Sequence, residues 1–142
     1  MQFGVGQPVP RTEDPKFLTG QGQYVDDINL HGQLYGYVLR SPHAHAIIKS
    51  IDTSAAEAAP GVQLVLTGKD RAADGVGEIH CHVPPMAFGG PPSPTPAHPI
   101  LVTDRVRCVG DCVAFVVADT ANQAQDAAEL IMVDYEPLPA VG

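Results

Sequence analysis

At 142 residues, with 44% hydrophobic and 17% charged positions, the chain can build one modest globular domain around a single core, and it is short for a stand-alone cofactor enzyme. Lys and Arg number 8 against 16 Asp and Glu; the net charge of −8 argues against nucleic acid, whose phosphates demand clustered cations. Gly and Pro number 14 each, about a fifth of the chain where ~12% is usual, which disfavours a bundle of long helices and predicts short elements joined by turns.

Residues 1–30 carry little periodicity and many turn formers, among them Gly4, Gly6, Pro8, Pro10, Pro15, Gly20 and Gly22. They predict an extended arm that cannot bury its own surface and must lie on something else if ordered. The domain proper is then expected over residues 31–142. Residues 34–39 alternate with apolar groups on both faces and predict a first strand, closed by Arg40, Ser41 and Pro42. A second is predicted over 46–52, with Ile47 and Ile51 on one face and Ile48 on the other. Ser54-Ala-Ala-Glu57 matches a capping box and predicts a short helix that stops at Pro60-Gly61. Residues 62–67 predict a third strand with Val62, Leu64 and Leu66 on one face, followed at Gly68 by at most a helical turn or two.

Seven of the 14 prolines fall within residues 84–99, too dense for any regular element, because each removes a donor and restricts its predecessor. This is a long loop, of the kind that is usually functional or disordered. Beyond it, residues 105–108 and 113–118 flank Gly110-Asp111 and suggest a hairpin. Thr120-Ala-Asn-Gln123 is a second capping box, opening a helix in which Ala121, Ala124, Ala128 and Ile131 recur on one face. Ile131, Val133 and Tyr135 alternate with Met132, Asp134 and Glu136 as a last strand, ended by Pro137 and Pro139.

The reactive side chains do not assemble into a site on spacing alone. His43 and His45 would face one side if extended, and His80-Cys81-His82 with His98 could hold zinc, but the spacing matches no ligand signature, and solvated loop histidines are the plainer reading. Cys81, Cys108 and Cys112 are an odd count without a C-x-x-C pair; they suit a reducing compartment and are too few to ligate an iron–sulfur cluster, and Cys108 and Cys112 read as buried structural thiols. Glu13-Asp14 and Asp26-Asp27 suit turn and cap roles better than acid–base catalysis. Gly20-Gln-Gly22 lacks the strand and helix of a phosphate loop, and Gly89-Gly90 belongs to the proline-rich loop. No nucleophile motif is present. After Arg107 there are six acids and no Lys or Arg, which reads as a solvated acidic face or as a contact to a basic neighbour. The N-terminus has no signal-peptide pattern and no stretch nears the ~20 apolar residues of a membrane span, so a cytoplasmic protein is expected.

Several of these segments, taken in order, resemble one family. Pro10-Arg-Thr-Glu13-Asp14-Pro-Lys-Phe-Leu18-Thr-Gly20-Gln-Gly22-Gln-Tyr24-Val-Asp26-Asp27 is similar to the opening of the molybdenum-binding large subunit of the xanthine dehydrogenase, aldehyde oxidase and carbon monoxide dehydrogenase family. Leu39-Arg-Ser-Pro42-His43-Ala-His45-Ala, Pro60-Gly-Val62, the stretch from Val109 to Ala118 and that from Ala127 to Pro139 resemble its N-terminal hammerhead domain. The resemblance implies an α+β fold of α/β hammerhead type, a small mixed sheet of about five or six short strands with two or three short helices. It also implies membership of an enzyme that hydroxylates an aldehyde, an N-heterocycle or carbon monoxide, with a molybdopterin-type cofactor in the full subunit and electrons passing to [2Fe–2S] clusters and FAD in partner subunits or domains.

In that family the pterin-binding segments and the catalytic glutamate lie beyond this domain. No catalytic, cofactor-binding or metal-binding role is therefore carried over to any residue here, and the chain is expected to be a structural and interface piece, encoded as a fragment or a split subunit. Its expected partners are the downstream molybdenum-binding domains and the FAD and iron–sulfur subunits, with neither nucleic acid nor membrane among them. The alternative is a stand-alone binding or assembly module, able to take up a metal through His80, His82 and His98.

Overall fold

The computed structural model describes residue 6, residues 10–80 and residues 98–140. Most of the proline-rich loop, with Cys81 and His82, lies outside the described residues. The chain divides into two compact units, Met1–Gln33 and Leu34–Gly142.

The first unit contains a helix that the turn-rich sequence does not announce, α1 (Asp14–Leu18), with Pro15 in its first turn where a missing N–H costs nothing. A 3₁₀ turn over Val25–Asp27 follows, in which Asp27 accepts the Tyr24 N–H at 2.8 Å. The Asp26-Asp27 pair thus includes a capping carboxylate, the structural role expected of it. Phe17 and Tyr24 stack with ring centroids 5.7 Å apart. Gly22 makes this possible, because a Cβ there would meet the Phe17 ring at 2.6 Å.

The second unit contains six strands and three short helices in the order β1 (Tyr35–Arg40), β2 (Ala46–Asp52), α2 (Ser54–Glu57), β3 (Val62–Thr67), α3 (Gly68–Ala73), β4 (Arg105–Val106), β5 (Cys112–Ala118), α4 (Ala121–Glu129) and β6 (Met132–Pro137). The class is α+β, as the sequence implies. The strands do not form one mixed sheet, however: they make two three-stranded sheets, ordered β1-β5-β3 and β4-β2-β6, and every pairing is antiparallel. The hairpin suggested by Gly110-Asp111 does not form either. β4 pairs with β2 and β5 pairs with β1 and β3, so the turn carries the chain from one sheet to the other.

Two apolar clusters hold the unit together. In one, Ala114 and Val116 of β5 meet Ala127 and Ala128 of α4 together with Ala56 and Ile131; in the other, Ala46 and Ile48 of β2 meet Val102, Val106 and Val113. Ile51 and Val133 pack against both. Alanine on the inner face of α4 lets the helix axis approach the sheet closely, so the layer is thin and its largest fully buried side chains are valines. The helix is anchored as its sequence predicts, with the Thr120 hydroxyl accepting the Gln123 N–H at 3.2 Å.

Other local expectations shift by a residue or change partner. Thr53, not Ser54, stands before α2 and its hydroxyl meets Glu57, while the Ser54 N–H and hydroxyl both donate to Asp52. A register shift between Val62 and Leu64 breaks the expected common face, leaving Val62 and Val65 packed on the core and Leu64 exposed. α3 is capped by a box that pattern reading passes over, Thr67 with Asp70, whose carboxylate accepts the Thr67 N–H at 2.7 Å and its hydroxyl at 2.6 Å. Among the described residues, no helix is long and apolar enough to cross a membrane.

Candidate functional site

The reactive side chains gather where β1 ends and β5 begins. Ser41, only 2% exposed, locks the two segments: its N–H donates to the Asp111 carbonyl at 2.8 Å and its carbonyl accepts the Gly110 N–H at 2.9 Å. Its hydroxyl accepts the His43 N–H at 3.0 Å, which gives His43 the turn role expected after Ser41-Pro42. Arg40 closes the corner from outside, donating through Nη1 to the Gly110 carbonyl at 2.9 Å. Gly110 supplies the φ of +93° that this turn requires.

Asp111 is the hub of the following loop. Its carboxylate accepts the backbone N–H groups of Arg107 at 2.5 Å and Cys108 at 3.2 Å, and the Cys108 thiol at 3.0 Å. Partial burial alone would push this carboxyl up, but the hydrogen bonds and the nearby His98 outweigh it and its pKa is lowered. The consequence for Cys108 is the reverse. Its S–H is held by Asp111, and that bond, burial and the neighbouring charges of Asp111 and Cys112 raise its pKa. Cys108 is therefore a protonated, poorly nucleophilic thiol, not an activated one. It is also exposed, and Cys112 is half-buried, so neither is the fully buried structural thiol that the sequence favours; both are free.

His43 and His45 do not make a joint site. The His43 ring packs against Tyr135 with centroids 4.8 Å apart, and burial raises the Tyr135 pKa against a lowering hydrogen bond from Ser41. His45 Nδ1 lies 2.8 Å from the Pro139 carbonyl, which can only accept, so Nδ1 carries the proton. An isolated bridge between Glu78 and Pro99, with the Ile79 N–H donating to the His98 carbonyl at 2.9 Å, brings the His80 and His98 segments alongside each other. Both histidines are exposed, and among the described residues no group of three or more His, Cys, Asp or Glu is placed to hold a metal ion.

A second feature, without a sequence signal, is an apolar groove of about 320 Å³ lined by Val38, Leu66, Val76, Leu101 and Phe115, with Arg71 and Asp74 also on its wall. The Phe115 ring covers Gly36, where a Cβ would meet it at 2.5 Å. The Arg71 Nη1 donates to the Val76 carbonyl at 2.9 Å, and its buried Nε has no hydrogen-bond partner among the described residues.

Residues 19–139 match the family described as aldehyde oxidase and xanthine dehydrogenase, a/b hammerhead domain. The chain belongs to this family. The hammerhead domain is 44% identical over 138 residues to the carbon monoxide dehydrogenase large chain of Afipia carboxidovorans and 42% identical over 137 residues to the nicotine 6-hydroxylase large subunit of Paenarthrobacter nicotinovorans; these matches cover 97% and 96% of this chain. In both cases the chain spans only 16% of the relative's length. Among solved structures, quinoline 2-oxidoreductase from Pseudomonas putida 86 superposes with a TM-score of 0.81 at 43% identity, covering 96% of this chain and 17% of that one.

Proposed function

We propose that this hammerhead domain works as a packing and interface piece of a molybdenum hydroxylase large subunit and supplies no catalytic group of its own. Within it, residues 1–30 serve as the arm and 31–142 as the domain. The reading is carried by the likeness along 97% of this chain to a carbon monoxide dehydrogenase large chain of which it spans 16%. The larger protein would hydroxylate an aldehyde, an N-heterocycle or carbon monoxide in the cytoplasm, passing electrons to iron–sulfur and FAD subunits. A molybdopterin-type cofactor would supply the oxygen-transfer chemistry there. The groove at Phe115 does not suit that cofactor, being apolar where a pterin needs rows of donors and acceptors. What the described residues do is structural, with Ser41 and Asp111 fixing the passage between sheets and leaving apolar surface around Val38 and Phe115 for packing.

Two measurements test this. The purified 142-residue chain is expected to contain no stoichiometric molybdenum and to oxidise no aldehyde, N-heterocycle or carbon monoxide with a dye acceptor; either activity or bound molybdenum would overturn the non-catalytic reading. Exchanged for the matching segment of the Afipia carboxidovorans large chain, it is expected to give an assembled, molybdenum-loaded enzyme that oxidises carbon monoxide, and a chimera that folds but cannot assemble would overturn the interface reading.

A further inference from the structure

We propose that the cleft at the end of the β4-β2-β6 sheet is a binding site for a phosphate-type oxyanion, held by Arg105 and Arg107 beside His45. The placement follows from strand register. Ala46 pairs with Val106 and Ile47 with Arg105, so continuing the ladder sets His45 opposite Arg107. Ala46 and Val106 are fully buried on the inner face, and side chains alternate along a strand, so residues 45, 47, 105 and 107 share the outer face. His45, Arg105 and Arg107 accordingly line one cleft of about 480 Å³, whose remaining wall includes Ala44, Val109 and Pro139.

Charge favours an anion in this cleft. The chain has only 8 Lys and Arg and a net charge of −8, and two of those cations, Arg105 and Arg107, line this one concave space. Lys49 is paired with Glu136 at 3.1 Å, and among the described residues neither Arg105 nor Arg107 has a carboxylate within ion-pair distance. Asp111, in the same loop, spends its carboxylate on the Arg107 and Cys108 N–H groups and on the Cys108 thiol. The guanidinium of Arg107 makes one long contact, 3.4 Å from Nη1 to the Arg105 carbonyl. Two guanidinium groups facing one concave space without a counter-charge repel each other, and an anion between them removes that cost. His45 lines the cleft beside them, its Nδ1 proton committed to the Pro139 carbonyl.

A planar carboxylate is satisfied by the fork of a single arginine, whereas a tetrahedral oxyanion accepts donors arriving from two side chains at once. The inference rests on register and charge and not on the hammerhead reading, so it stands or fails separately.

The test is titration of the 142-residue chain with inorganic phosphate at constant ionic strength, followed by calorimetry and by the imidazole and guanidinium NMR resonances. Saturable binding is expected, with shifts confined to His45, Arg105 and Arg107. Arg105→Gln and Arg107→Gln should each weaken it about tenfold. Arg107→Lys, which keeps charge but loses the fork, should weaken it less, and Lys69→Gln should leave it unchanged. Circular dichroism identifies any variant that does not fold, and the wild-type resonances decide the matter in that case. Shifts that grow linearly without saturation, or spread equally over all cations, would overturn the site; glutarate binding as tightly as phosphate would overturn the assignment to a phosphate-type ligand.

Discussion

Replacing Gly68 by alanine adds one methyl group where α3 begins, and the structure leaves no room for it. A Cβ at Gly68 would lie 2.1 Å from the Val102 carbonyl oxygen, 2.6 Å from its carbon and 2.8 Å from the Thr103 Cα. All three are backbone atoms, so no flexible side chain can swing away. Val102 cannot easily yield, being 3% exposed in the core beside Ala46 and Val106, with its N–H bonded to the Cys112 carbonyl at 2.9 Å. Overpacking of this kind costs about 1–3 kcal/mol or more. The better helix propensity of alanine returns at most ~1 kcal/mol, and less at a first helical residue. The net expectation is a loss of about 2 kcal/mol, which for a chain of this size lowers Tm by ~6 °C. Urea unfolding followed by far-ultraviolet circular dichroism should show the midpoint falling by about 1 M with an unchanged slope. Lys69→Ala, one residue along and exposed, should stay within ~0.5 kcal/mol of the parent. A Gly68→Ala chain as stable as the parent would show that the contact between α3 and the 102–103 segment is not close.

Three further outcomes follow from the hydrogen bonds. Thr120→Ala should cost about 1 kcal/mol by removing the cap of α4, and Thr120→Ser should restore most of it in the same thermal unfolding assay. Asp70 has its pKa lowered below the ordinary 3.8 by the hydroxyl and N–H of Thr67, so its stabilising effect is complete above that value and is lost as pH falls from 3.8 through the folded value. Asp70→Asn should therefore lower the urea midpoint at pH 7, and the difference from the parent should shrink as pH is lowered below 3.8; a difference that does not change with pH would refute the cap. Cys108 should alkylate slowly with iodoacetamide at pH 7, read by mass spectrometry of its peptide, with the midpoint of its rate profile above that of a free thiol. Asp111→Asn should move that midpoint down, and an unmoved profile would mean that Asp111 does not hold the thiol proton.

The elements legible in the sequence were those fixed by neighbours along the chain. Thr120 and Gln123 mark the start of α4 because a cap needs only a hydroxyl and an N–H three residues away, and the alternation of Val133 and Tyr135 marks β6 because strand geometry has a period of two. Motifs in order likewise identified the hammerhead family, which the match over residues 19–139 bears out. Partner choice was a different matter. A period of two says which face a residue occupies but not which strand lies beside it, so residues 105–108 and 113–118 read as one hairpin although they belong to different sheets. Cys108 shows the same division: its spacing suggested a buried thiol, while its exposure and its hydrogen bond to Asp111 depend on how the 107–112 loop closes on Ser41. The cleft at His45, Arg105 and Arg107 is the fullest case, since 60 residues separate the histidine from the first arginine in sequence and only the antiparallel register of β2 and β4 sets them on one face. Composition, caps and periodicity are local and were written in the chain; pairing, burial and the convergence of charge required long-range contacts, whose closure is specified by the packing of the whole domain.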